Sequence, residues 1–269
     1  MRNVLYLYLC PTHHRQHHTP NVKQLVFRIL PPFVQSLIRT WYYLRKFSRV
    51  RADDEKDLGL VCRLVRPGDT VFDIGANFGM YTKILAECVG RGGRVYSFEP
   101  VPQTFHVLQH NVRSTNLNQV SPLCLAASST TGKATISIPT YSDGGENMYE
   151  ASLERSGTGA GIEISTVRLD EQYADLDRLD FVKLDVEGHE PAVLDGMQKI
   201  IKRHHPAFLI EINDGFTSGS TGSTVASFMQ SLGYTMHYFD GTAIRPSQGG
   251  EQGVNYLFMH TQHQHEDRR

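Results

Sequence analysis

Thr70-Val71-Phe72-Asp73-Ile74-Gly75-Ala76-Asn77-Phe78-Gly79 is the stretch whose reading decides the fold. Thr70 to Ile74 is an apolar run broken by one acid, and a glycine turn closes it. Beyond the turn, Tyr81, Ile84, Leu85 and Cys88 fall at i, i+3, i+4 and i+7, one face of an amphipathic helix. Strand, tight turn and helix make the first unit of a nucleotide-binding α/β sheet. Gly75 supplies a backbone conformation that a Cβ would forbid, and Gly79 lets the helix start close to a ligand. A second apolar segment, Arg94 to Phe98, ends in Glu99-Pro100. Glu99 lies about 20 residues past Gly79, where such sheets place the acid that grips ribose hydroxyls.

Two ligands compete for this arrangement. The dinucleotide fingerprint needs a middle glycine so that the backbone can approach a pyrophosphate, and here that position is Asn77. A nicotinamide-dependent oxidoreductase therefore fails at Asn77. Asp73, two residues before the first glycine, would repel a pyrophosphate but suits a ligand carrying an ammonium and a sulfonium. S-adenosylmethionine has both charges, and a ribose for Glu99.

The 269 residues allow one large α/β domain with a short extension, divided as an N-terminal helical extension (1–55), the α/β domain (56–262) and a polar tail (263–269). A formal net charge of −1 provides no global field to recruit nucleic acid. Cys10, Cys62, Cys88 and Cys124 are far apart and read as core thiols, which suits a reducing compartment. No apolar run approaches the length that spans a bilayer, and Met1 to Cys10 lacks a signal-peptide pattern. A cytoplasmic location is the expectation.

Along the chain, His13, His14, His17 and His18 sit in a polar linker. Val22 to Arg51 reads as helical and basic, broken at Pro31-Pro32. Phe33, Leu37, Trp41 and Leu44 repeat at helical steps with Arg39, Arg45, Lys46, Arg49 and Arg51 between them. Such a helix over 33–51 can make a peripheral contact with an anionic membrane. It can also pack on the α/β domain, and the expectation is that the helix around Trp41 does so and walls the acceptor pocket. Val120 to Ala127 reads as a third strand, whose end, Leu125-Ala126-Ala127, runs past the adenine. Lys133 to Ile138 and Ile162 to Val167 alternate as half-exposed antiparallel strands do, with a glycine-rich loop, Asp143 to Gly161, between them. Asp180 to Asp185 is a further core strand, followed by a helix from Pro191 to Arg203. Ala207 to Ile212, a helix over Ser223 to Leu232, and strands at Tyr234 to Phe239 and Asn255 to Met259 complete the pattern.

With these residues in view, the chain resembles the FkbM family of methyltransferases over roughly residues 56–260. The matching pieces are Asp73 to Gly79, Phe98-Glu99-Pro100, Thr166 to Asp170, Lys183 to Glu190 and Glu211-Ile212. The resemblance implies a Rossmann-like class I methyltransferase: a seven-stranded, mostly parallel sheet with an antiparallel last strand and helices on both faces. The alternating pair around residue 150 is then an extra β-hairpin insertion. It implies S-adenosyl-L-methionine as cofactor, with Asp73, Gly75, Asn77 and Gly79 around its methionine part and Glu99 on its ribose. Ala126 and Asp185 complete the expected cofactor contacts. O-methylation of a hydroxyl on a small molecule or sugar is what the resemblance implies.

Methyl transfer to a weakly acidic hydroxyl requires orientation and help with a proton. Asp185 ends a central strand, and His189 stands at the mouth of the next helix, where an imidazole with a near-neutral pKa can take that proton. A plain capping role for His189 and Glu190 stays open. A divalent cation held by Asp185, Glu187, His189 and Glu211 ranks behind the metal-free version. The competing class is a non-catalytic binding or scaffold protein that keeps the fold, docking through its basic N-terminal helix.

Overall fold

Strands buried on every residue need cover on both faces, and β1 (Thr70–Ile74) is buried along its whole length. The computed structural model describes residues 30–137, 161–251 and 255–262. Around β1 lie β2 (Arg94–Phe98), β3 (Val120–Leu123), β7 (Phe181–Leu184) and β8 (Ala207–Glu211), all parallel. β11 (Asn255–His260) runs antiparallel between β8 and β9 (Tyr234–Phe239). With β10 (Ile244–Pro246) beside β9, the order across the sheet is β10-β9-β11-β8-β7-β1-β2-β3.

The sheet has eight strands where seven were expected. The addition is β10 (Ile244–Pro246), a three-residue strand on the rim of β9. A proline in so short a segment hides the strand signal and is tolerated because the strand is an edge.

The single strand expected over Val120 to Ala127 is two. Glu99 N–H donates to the Leu123 carbonyl and closes the β2–β3 ladder. The chain then leaves, and β4 (Ala126–Ala127) pairs with β6 (Gly161–Val167), itself antiparallel to β5 (Gly132–Ser137). An apolar run reads the same whether it stays in one sheet or crosses to another. The expected hairpin is present as β5 and β6. Its connecting loop, the histidine cluster at 13–18, Cys10 and the tail from 263 lie outside the described residues.

Helices α2 (Lys56–Leu64), α3 (Met80–Val89) and α4 (Pro102–Ser114) cover one face, burying Leu58, Val61, Ile84, Leu85 and Leu108 against Val71, Val95, Phe181 and Leu209. The other face is covered by α6 (Glu190–Asp195), α7 (Gln198–His204) and α8 (Thr221–Ser231), with Leu194, Ile201 and Met229 against Phe72, Val182 and Phe208. Between β6 and β7 comes the short α5 (Leu169–Gln172). The one helix expected from Pro191 to Arg203 is broken at Gly196-Met197. A Cβ on Gly196 would lie 2.0 Å from the Ser128 carbonyl oxygen, so β4 presses directly on the break.

The N-terminal helix α1 (Pro32–Arg49) packs on the domain, but through a different face from the one that carries Trp41. Tyr43, Phe47 and Val50 are buried, and Tyr43 meets Phe78 at a ring-centroid distance of 4.9 Å beside Val107. Trp41 is 55% exposed, Phe33 67% and Leu37 65%. The helix has two apolar faces, and spacing alone does not say which one finds an apolar partner.

The cysteines also depart from the core-thiol reading. Cys62 is exposed, Cys88 and Cys124 are half-buried, and the Cys62 and Cys88 sulfurs stand 2.9 Å apart between α2 and α3. Burial and the neighbouring Cys62 thiol push Cys88 up to about 12.

Candidate active site

Strand order reverses between β7 and β1, and a cleft opens there at the carboxyl ends of the strands, where open α/β sheets bind ligands. It is lined by Gly75, Asn77, Glu99, Ala126, Asp185 and His189.

Gly75 forms its floor at φ +83°, and a Cβ there would fall 1.7 Å from the Asp185 carbonyl oxygen. The strand ends are locked together at this point: Asp185 N–H donates to the Ile74 carbonyl at 3.0 Å, and Gly75 and Ala76 N–H both donate to the Phe98 carbonyl. Asn77, also in the left-handed region at φ +52°, lines the cleft beside Glu99.

Glu99 is nearly fully buried. Its Oε2 accepts from Asn77 N–H and its Oε1 from Val101 N–H, each at 3.0 Å. Burial raises its pKa to about 7 against the pull of those two donors. Each carboxylate oxygen keeps a second acceptor site, so Glu99 can take two ribose hydroxyls without giving up its own anchors. Ala126, with Leu125, Val101 and Ile136, makes the apolar wall that a purine ring requires. A floor that tolerates no Cβ, a fixed acid and an apolar slot together fit S-adenosylmethionine.

Two of the expected cofactor residues, Asp73 and Gly79, do not line this cleft. The Asp73 side chain points away from the cleft, accepting a short hydrogen bond from Thr82 Oγ1, which is 3.0 Å from Ser97 Oγ. It ties α3 to β1, and burial raises its pKa to about 6. Alternation along β1 sends residue 73 to the face covered by α3, a choice that spacing from a glycine does not reveal. Gly79 starts α3 at φ +101°, and a Cβ on it would meet Leu108 at 2.7 Å and Phe47 at 2.9 Å. It is a packing glycine and does not line the cleft.

Asp185 and His189 both line the cleft. His189 occupies the position before α6, yet its side chain makes no capping bond. Its Nε2 lies 3.0 Å from Ser128 Oγ, so the ring is held across from β4. Buried Glu190 accepts from the N–H groups of Val186 and Gly188 at 3.3 and 3.1 Å, which fixes the loop carrying Glu187 and Gly188 at positive φ. Ser128 escaped the sequence reading. Its only signal is its place directly after the apolar Leu125-Ala126-Ala127 segment.

Lys183 was likewise passed over, although a lysine inside a core strand is seldom buried unless paired. It is 1% exposed, with Nζ 3.0 Å from Asn255 Oδ1, 3.7 Å from Asp185 Oδ2, 3.8 Å from Glu211 Oε2 and 5.0 Å from the Tyr81 ring centroid. Burial and the charge of Asp185 push Glu211 up to about 8. Among the described residues no three His, Cys, Asp or Glu side chains converge on a point that could hold a metal ion.

Raised to about 6, 7 and 8, the carboxyls of Asp73, Glu99 and Glu211 bind more protons in the folded chain than in the unfolded chain between about pH 5 and pH 8. Wherever the native state binds more protons, stability falls as pH rises. The ligand-free protein is therefore expected to melt at its highest temperature near pH 5 and to lose roughly 5 °C or more by about pH 8. Melting curves across that range test this; a Tm that rises with pH would contradict it.

The model of the methyltransferase FkbM domain matches residues 73–236. The chain is 28% identical over 198 residues to the 31-O-demethyl-FK506 methyltransferase FkbM of Streptomyces tacrolimicus, covering 64% of this chain and 75% of that protein. It is 31% identical over 184 residues to the hexuronic acid methyltransferase AglP of Haloferax volcanii, covering 68% and 70%. Among solved structures, a methyltransferase FkbM from Methylobacillus flagellatus matches with a TM-score of 0.46 at 15% identity, over 88% of this chain and 57% of that one. The family match runs from the acid before the glycine turn into β9, over more than half of the sequence: the chain belongs to the FkbM family of S-adenosylmethionine-dependent methyltransferases.

Proposed function

We propose that the protein methylates a hydroxyl oxygen on a small acceptor, a sugar or a hydroxylated metabolite. The observation that carries this is the placement of His189 and Asp185 in the same cleft as Gly75 and Glu99. Bound there, the cofactor supplies an electrophilic methyl group. Gly75, Asn77, Glu99 and Ala126 hold it, and Asp185 closes the site from β7. His189 Nε2 removes the acceptor's proton, with Ser128 Oγ orienting the imidazole until an acceptor hydroxyl replaces or joins it. The names of the two relatives, a demethyl-FK506 and a hexuronic acid methyltransferase, support an oxygen-bearing small acceptor. For the cell compartment, the cytoplasm is our reading from cysteine spacing alone.

The test is incubation of the full chain with methyl-labelled cofactor and a panel of uronic acids, neutral sugars and hydroxylated macrolactones. Label on an acceptor oxygen is the expected result. Cofactor binding with no transfer to any oxygen acceptor would favour the scaffold reading, and transfer to nitrogen or carbon would overturn the oxygen assignment.

A further inference from the structure

The exposed large hydrophobic side chains among the described residues are three, Phe33, Leu37 and Trp41, and all belong to α1. They are spaced four residues apart, so they form one stripe along the helix. The stripe is separate from the face of Tyr43, Phe47 and Val50 by which α1 is docked. An apolar surface of this kind marks a contact with another body.

Charge selects which body. Arg39, Arg45, Lys46 and Arg49 lie within α1, which contains no acid. Arg45 and Arg49 are exposed, and the Arg45 guanidinium sits 5.4 Å from the Trp41 ring centroid. The pattern extends to the N-terminal sequence. Residues 1–50 hold eight Lys and Arg and no Asp or Glu, and the first acid is Asp53. The other 219 residues therefore carry a formal charge of −9. A second copy meeting the stripe face to face would set like charges against like. An anionic lipid surface satisfies both parts, taking phenylalanine, leucine and tryptophan below its headgroups and arginine at them.

We propose that α1 is a membrane-docking element, with Phe33, Leu37 and Trp41 inserted into the interface of an anionic bilayer and Arg45 and Arg49 on its headgroups. No helix among the described residues is long and apolar enough to cross a membrane. The docking is independent of the acceptor assignment.

Trp41 is the only tryptophan in the chain and reports its own environment. The experiment uses the full chain and vesicles of phosphatidylcholine containing about one-third phosphatidylglycerol. Expected are co-sedimentation and a blue shift of Trp41 emission, with pure phosphatidylcholine binding at least about tenfold more weakly. Phe33→Ser with Leu37→Ser, which keeps the reporter, should weaken partition by at least about tenfold. Arg45→Gln with Arg49→Gln should weaken it by about thirtyfold. S-adenosylhomocysteine affinity, measured on the same variants, shows that they remain folded. Absent partition onto anionic vesicles, or partition indifferent to both double substitutions, overturns the proposal. So does a dimer that Leu37→Glu dissociates while vesicles leave Trp41 unmoved, because the stripe would then belong to a second copy.

Discussion

Gly75→Ala is expected to reduce S-adenosylhomocysteine affinity by at least about 100-fold, the largest effect of any single methyl group in the cleft. Two costs combine. The residue sits at φ +83°, where an alanine is strained by roughly 1–2 kcal/mol. Its Cβ would also fall 1.7 Å from the Asp185 carbonyl oxygen, so β1 and β7 must part at the point where they form the floor. Gly68→Ala separates the two terms, since Gly68 has φ +91° with nothing within 4 Å of a Cβ. Calorimetry on both variants should show ordinary cofactor affinity for Gly68→Ala despite a lowered Tm. Near-normal affinity for Gly75→Ala would mean that the cofactor does not rest on this floor.

His189→Gln is expected to lower kcat by about 10²–10⁴-fold, the range for loss of a positioned general base. Cofactor affinity should change little, because Gly75 and Glu99, which we propose hold the cofactor, stand at the ends of β1 and β2. Ser128→Ala tests the orienting role: it leaves the imidazole present but unheld, so a smaller loss in kcat with the same pH optimum is expected. If His189→Gln retained full turnover, the imidazole at 3.0 Å from Ser128 Oγ would be a structural contact, and the base would have to be sought at Asp185 or Glu211.

Much of this was legible in the order of elements. The strand, turn and helix around Gly75 and the acid at Glu99 are local patterns, and local chemistry sets them: a turn that needs positive φ, and a strand end that reaches the crevice. The contacts of Asp73 and Gly79 are not legible, because they come from Thr82, Phe47 and Leu108, which no spacing rule connects to them. Ser128 and His189 are 61 residues apart and meet only because β4 crosses into the small sheet and presses on Gly196. The Lys183 cluster joins β7, β8, β11 and α3, and its sole sequence trace was one cation in an apolar strand.

Phe47 ties the N-terminal helix to the start of α3. It is fully buried and lies against Gly79 at a distance that leaves no room for a side chain there. Each large apolar side chain so buried contributes roughly 1.5–3 kcal/mol, and whole domains are stable by only about 5–15 kcal/mol. Tyr43, Phe47 and Val50 together are therefore a sizeable share of what keeps the chain folded. A chain cut back to residue 56 would carry an open notch beside its cofactor turn. The glycine would stay fixed even then, because its φ of +101° and Leu108, 2.7 Å from where a Cβ would stand, do not depend on the helix.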